Sequence, residues 1–136
     1  VNRESRHMSE PSIILGVTLM DRDHAELEDL LSRVPETDDA GLIDLLGEFE
    51  AEMRAHFERE EDLMRKQALP VLACHSIQHE LLLDQVHKVR LAAPGGEASD
   101  LRAFMTDSLP TLFFRHINTA DRVTAELILN CRFVEA

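Results

Sequence analysis

Apolar residues recur along this chain at alternating steps of three and four, the spacing that lines one face of an α-helix. A first run reads Met20, His24, Leu27, Leu31 and Val34. A second reads Leu42, Leu46, Phe49, Met53, His56, Glu60 and Leu63. A third reads Leu72, His75, His79, Leu82, Val86 and Val89. The fourth is looser: Met105, Leu109, Leu112, His116, Val123 and Leu127. Turn signals separate the runs: Val34-Pro35 with the polar residues that follow it, Leu69-Pro70, and Ala93-Pro94-Gly95-Gly96. The spacing predicts helices over about 19–34, 38–67, 70–92 and 99–130. Pro110 should kink the last helix or mark its true start. No stretch alternates as a strand would. Four such helices with short connections bury their faces as an all-α, up-down-up-down four-helix bundle. The bundle is expected over 12–133, and 1–8 reads as a disordered or vector-derived segment without the apolar core of a signal peptide.

Ionisable residues interrupt these seams. His24, His56, Glu60, His75, His79 and His116 stand where Leu or Val belongs. A buried imidazole or carboxylate without a partner costs several kcal/mol, so something must compensate for the set. A lone His on an apolar face is more often a hydrogen-bonded core residue than a ligand. Pairs are harder to dismiss. His56 and Glu60 are four apart, as are His75 and His79, which puts each pair about 40° apart on one face. This spacing offers two ligands to one metal. At 1.5 Å per residue all six fall in a layer about 7–21 Å from one end of the bundle.

Composition narrows the chemistry. Lys and Arg total 14 against 26 Asp and Glu, a formal net charge of −12. A surface so acidic argues against nucleic acid and against anionic membranes. No apolar run is long enough to span a bilayer. Trp and Tyr are absent, which excludes a tyrosyl radical, a tyrosinate ligand or a Tyr acid. Cys74 and Cys131 form no CxxC pair, and a reducing cytoplasm fits them best. Cys74 adjoins His75 but points about 100° away from it on a helix, so it is expected to be a buried structural thiol. Glu61 lies off the seam and should be solvated. His87 lies outside the layer and reads as structural or surface.

Five imidazoles with a carboxylate exceed what one tetrahedral zinc takes, and no thiolate joins them. Mixed His and carboxylate ligation for two six-coordinate ions suits iron or manganese. The carboxylate-rich bundles with paired Glu-x-x-His motifs are a poor match, because no such motif occurs at this cluster.

The four motifs resemble those of the hemerythrin family, over about 16–129. Met20-Asp21-Arg22-Asp23-His24 is similar to the first-helix motif. His56-Phe57-Glu58-Arg59-Glu60-Glu61-Asp62-Leu63-Met64 is similar to the second. His75-Ser76-Ile77-Gln78-His79 is similar to the third, and His116-Ile117-Asn118-Thr119-Ala120-Asp121 to the fourth. The resemblance implies two iron ions joined by an oxo or hydroxo bridge and by Glu60 and Asp121. It implies that His75, His79 and His116 hold one iron, and that His24 and His56 hold the other and leave it an open position for dioxygen. Leu27, Phe57, Leu112 and Ile117 are the expected pocket walls. Asp121 comes only from the resemblance. It lies five residues from His116, about 140° round an ideal helix, and joins the site only through a π-bulge or a sideways reach. The family often has Gln where this chain has Asp23, and Trp where it has Leu112. Loss of that Trp is expected to open the pocket and speed autoxidation.

Three functions follow as expectations. The first is reversible dioxygen binding for storage, delivery or scavenging, without enzymatic turnover. The second is sensing, in which the same site reads dioxygen, nitric oxide or redox state for a signalling partner or a fused output domain. The third, a di-iron oxidase or peroxidase, ranks low because the ligands are His-rich and no Tyr or Trp relays electrons.

Overall fold

The computed structural model describes residues 13–135, with side chains up to residue 130. The expected 1–8 segment and the first residue of the 12–133 domain lie outside the described residues. The helices are α1 (Thr18–Ser32), α2 (Leu42–Lys66), α3 (Leu72–Ala92), α4 (Ala98–Ala103), α5 (Leu109–His116) and α6 (Arg122–Glu135). The last three are continuous through two π turns, Phe104–Ser108 and Ile117–Asp121, and together form the fourth rod of a bundle. Pro110 is the second residue of α5, directly after the first π turn. Widening the helix there accommodates a residue with no N–H and with a ring that crowds the preceding turn.

The chain reverses between rods by local devices. Between α1 and α2 run two short 3-10 turns, Val34–Glu36 and Asp39–Gly41. The Asp38 carboxylate accepts from Gly41 N at 3.0 Å. Arg102 of α4 crosses to this connection and donates to Val34 O at 3.0 Å and Thr37 O at 2.7 Å. α2 ends in a two-bond C-cap: Ala68 N donates to Arg65 O, and Leu69 N to Met64 O. Ala68 occupies the left-handed position of this cap, at φ 51°. Leu69 and Met64 are both buried and join one satellite cluster.

The main core holds Leu27, Leu46, Phe49, Met53, Val86 and Leu109, among others, from all four rods. A smaller cluster of Val17, Met20, Met64, Leu69, Ala125 and Ile128 closes the end at which α1 begins. The first three seams are buried much as their spacing predicts. In the fourth, Val123 is 49% exposed, while Thr124, Ala125 and Ile128 are buried. The π turn just upstream adds a residue to its turn, so the buried face moves on by one position. Cys74 is exposed, contrary to the expectation of a buried thiol. It sits on the outer side of α3, the direction that its offset from the buried His75 dictates.

Candidate metal centre

Five imidazoles and two carboxylates meet in the bundle interior between the two clusters. His24 comes from α1, His56 and Glu60 from α2, His75 and His79 from α3, His116 from α5 and Asp121 from the second π turn. All seven are buried, none more than 5% exposed. They form two ligand-sized groups that share both carboxylates: Glu60, His75, His79, His116 and Asp121; and His24, His56, Glu60 and Asp121.

Each carboxylate is divided between the groups. Glu60 Oε1 lies 3.0 Å from both His75 Nε2 and His79 Nε2, and its Oε2 lies 3.2 Å from His56 Nε2. Asp121 Oδ1 lies 2.8 Å from His75 Nε2 and 3.1 Å from His116 Nε2. Its Oδ2 lies 2.9 Å from His24 Nε2. The π turn is what admits Asp121. Its wider turn returns a residue five positions on to the face of His116, which an α-helix does not do.

A metal fits this donor set. His24 Nε2, His56 Nε2, Glu60 Oε2 and Asp121 Oδ2 are buried and make no hydrogen bond, although they approach one another within 3.2 Å. Their lone pairs converge without a proton aligned between them. Orphaned buried acceptors cost about 1–3 kcal/mol each, and a shared cation removes that cost. Electrostatics points the same way. Burial raises the Glu60 pKa, and so does the neighbouring Asp121 carboxylate. The imidazoles of His56, His75 and His79 override both and hold it at about 2. Burial likewise raises that of Asp121, but His116, His24 and His75 hold it well below the usual range. Burial lowers the His75 pKa, yet Asp121 and Glu60 raise it to about 9. The centre is therefore built around two carboxylate ions that demand positive charge.

The opposite nitrogens of three imidazoles are anchored by residues to which the sequence reading assigned no such role. His56 Nδ1 donates to Asp23 Oδ2 at 2.9 Å, and that carboxylate also accepts from Arg59 Nε at 2.9 Å. His79 Nδ1 donates to Glu61 Oε2 at 2.6 Å. His75 Nδ1 donates to Thr124 Oγ1 at 2.7 Å. These bonds fix each ring with Nε2 turned inward. Glu61 is thus not simply solvated. Its side chain is 24% exposed, and its oxygen reaches round to the next rod. The signals were adjacency to a seam residue for Asp23 and Glu61, and a hydroxyl among apolar positions for Thr124.

Around the rings, Phe57 stacks on His79 with centroids 3.7 Å apart. Phe113 meets His24 edge-on at 6.0 Å. Leu27, Phe57 and Ile117 are buried. Leu112 is half-buried, and it is the next residue, Phe113, that packs on His24. His87 stands apart, donating to Glu50 Oε2 at 2.9 Å beside Arg90. Among the described residues, no helix is long and apolar enough to cross a membrane.

The model of the Hemerythrin HHE cation binding domain matches residues 15–128. A protein named Bacteriohemerythrin, from Stenotrophomonas maltophilia, is 26% identical over 118 residues, covering 84% of this chain and 76% of that protein. No solved structure matches the chain. The family match takes in all four rods and all seven convergent side chains, so the chain belongs to the hemerythrin HHE cation-binding family.

Proposed function

We propose that this chain holds two iron ions at the seven-residue centre and binds dioxygen reversibly, without catalytic turnover. The observation that carries the reading is the unequal division of Glu60 and Asp121. Glu60 Oε1 and Asp121 Oδ1 together face three imidazoles, those of His75, His79 and His116, whereas Glu60 Oε2 and Asp121 Oδ2 together face two, those of His56 and His24. Two ions held this way differ by one protein ligand, and the poorer one has room for a small guest. Mixed imidazole and carboxylate ligation is the chemistry of iron rather than of a thiolate-loving or all-oxygen metal. Two ferrous ions, when bound, would supply the electrons that dioxygen takes up and returns.

The chain's own residues do the rest. Glu60 and Asp121 hold the ions together and balance their charge. Asp23, Glu61 and Thr124 keep three rings from turning. Leu27, Phe57, Phe113 and Ile117 are buried and apolar, and the walls they form keep water from an oxidisable centre. Neither Tyr nor Trp is present to pass electrons onward, which favours binding over turnover.

The test is metal content followed by optical titration. Purified protein should carry two irons per chain. The reduced, colourless form should gain a visible band with dioxygen and lose it on deoxygenation. Protein that holds zinc or no metal overturns the reading, as does a band that cannot be reversed.

A further inference from the structure

α3 is apolar on two sides. One side faces the core through Val86, and the other leaves Ile77 57%, Leu81 64% and Leu91 62% exposed. The outward residues do not fall at random. Cys74, Ile77, Leu81, Asp84, Lys88 and Leu91 step by three, four, three, four and three, and all are exposed. That is an unbroken a/d seam of the coiled-coil type, laid along the outside of a bundle whose own core seam lies on the other side of the same helix. Ile77, Leu81 and Leu91 put three large apolar side chains on one exposed face of α3, with Asp84 and Lys88 between the two leucines, and such a face marks a contact surface.

We propose that this seam is the interface of a homodimer, formed by two copies of α3 packed antiparallel. Charge decides the occupant and the register. The centre of the seam carries one acid and one base, Asp84 and Lys88, which now pair within one helix at 2.9 Å in solvent. In a parallel pair Asp84 would meet Asp84 and Lys88 would meet Lys88, which is repulsive at both layers. In an antiparallel pair centred near Val86, Asp84 faces Lys88 of the second copy, and the two-fold axis repeats the contact. The same register sets Leu81 against Leu91 of the second copy, again twice. Two leucine layers then flank two oppositely charged layers, and Ile77 falls opposite the Ala93–Gly95 turn of the second copy rather than its α3. A shift of one heptad in this direction places Leu81 on Asp84 and Ile77 on Lys88, stranding each charge against hydrocarbon. A polar pair at the centre of an apolar seam is a known way of fixing register at some cost in stability. A two-fold axis makes the surface its own complement, so no second protein is required. The acidic net charge opposes self-association, and the crossed Asp84–Lys88 contacts offset it locally.

Sedimentation equilibrium of the metal-loaded protein should give a mass of two chains. Leu81→Glu should halve that mass with metal content unchanged, because Leu81 is exposed and lies on the outer side of α3. Asp84→Lys should do the same by setting Lys against Lys, and adding Lys88→Asp should restore the dimer. In a Cys74→Ser background, oxidation should join a Leu81→Cys chain to a Leu91→Cys chain. It should not join two Leu81→Cys chains, which the antiparallel register holds about 15 Å apart. A monomer at every concentration overturns the proposal. So does a dimer indifferent to Leu81→Glu, a failure of the charge swap to restore it, or a wild-type dimer linked through Cys74, which this register keeps apart.

Discussion

His116 Nε2 and Asp121 Oδ1 lie 3.1 Å apart although five residues separate them. A π turn over Ile117–Asp121 makes this contact. The same extra residue that brings Asp121 inward also turns Thr124 to His75 and rotates Val123 out to solvent. Local helix geometry and the composition of the centre are therefore one feature.

Asp121 should accordingly be indispensable for metal in a way that its charge, rather than its shape, controls. Asp121→Asn keeps the size of the side chain and removes an anionic oxygen that faces His24 or His75. We expect the helical circular dichroism to survive and the iron content to fall below two per chain. Elemental analysis against protein concentration checks this, and retention of both irons would contradict it.

Glu61 and Asp23 should matter less, and measurably. Each holds the outer nitrogen of one imidazole, His79 and His56 respectively. Loss of such a partner typically weakens metal binding roughly 10–100-fold. Glu61→Ala and Asp23→Ala are expected to be isolated with metal but to release it to a chelator at lower concentration. A Glu61→Gln protein, which keeps an acceptor oxygen, should recover part of the difference. Chelator titrations identical to wild type would show that the anchors are dispensable.

Glu50 gives an acid-sensitive contribution to stability away from the metal centre. It is 5% exposed and accepts from Arg90, from His87 at 2.9 Å and from Arg54 at 3.1 Å. Burial raises its pKa, but these three donors together bring it below the ordinary 4.5. A carboxyl with a depressed folded-state pKa stabilises above its unfolded value and loses that contribution as pH falls through the folded one. Stability should therefore drop below about pH 4.5. Glu50→Gln should cost about 1–2 kcal/mol at neutral pH. Its stability should also fall less steeply with acid. Urea unfolding at pH 6 and pH 4 gives both quantities. Equal acid slopes in the two proteins would exclude Glu50 as the source.

Ala68 is a strained cap. At φ 51° its Cβ crowds the backbone, where glycine would not. Ala68→Gly should raise stability by about 0.5–1 kcal/mol, the relief of strain less the greater freedom of unfolded glycine. A rise of a few degrees in Tm checks it, and a fall would show that the cap is unstrained.

Spacing in the sequence determined most of this protein. The three-and-four repeats fixed three rods and their inward faces, because burying an apolar stripe is what drives helices together. The pairs His56 with Glu60 and His75 with His79 were legible for the same reason, since side chains one turn apart must share a face. Tertiary structure alone decided the rest. Nothing in a helical repeat reports a π turn, so Asp121 stood outside the geometric pattern and the fourth seam was read one residue out of phase beyond it. Asp23, Glu61 and Thr124 acquire their roles only where another rod brings an imidazole nitrogen to their oxygens. A single helix cannot specify such a contact, because the partner lies tens of residues away and arrives only when the bundle closes.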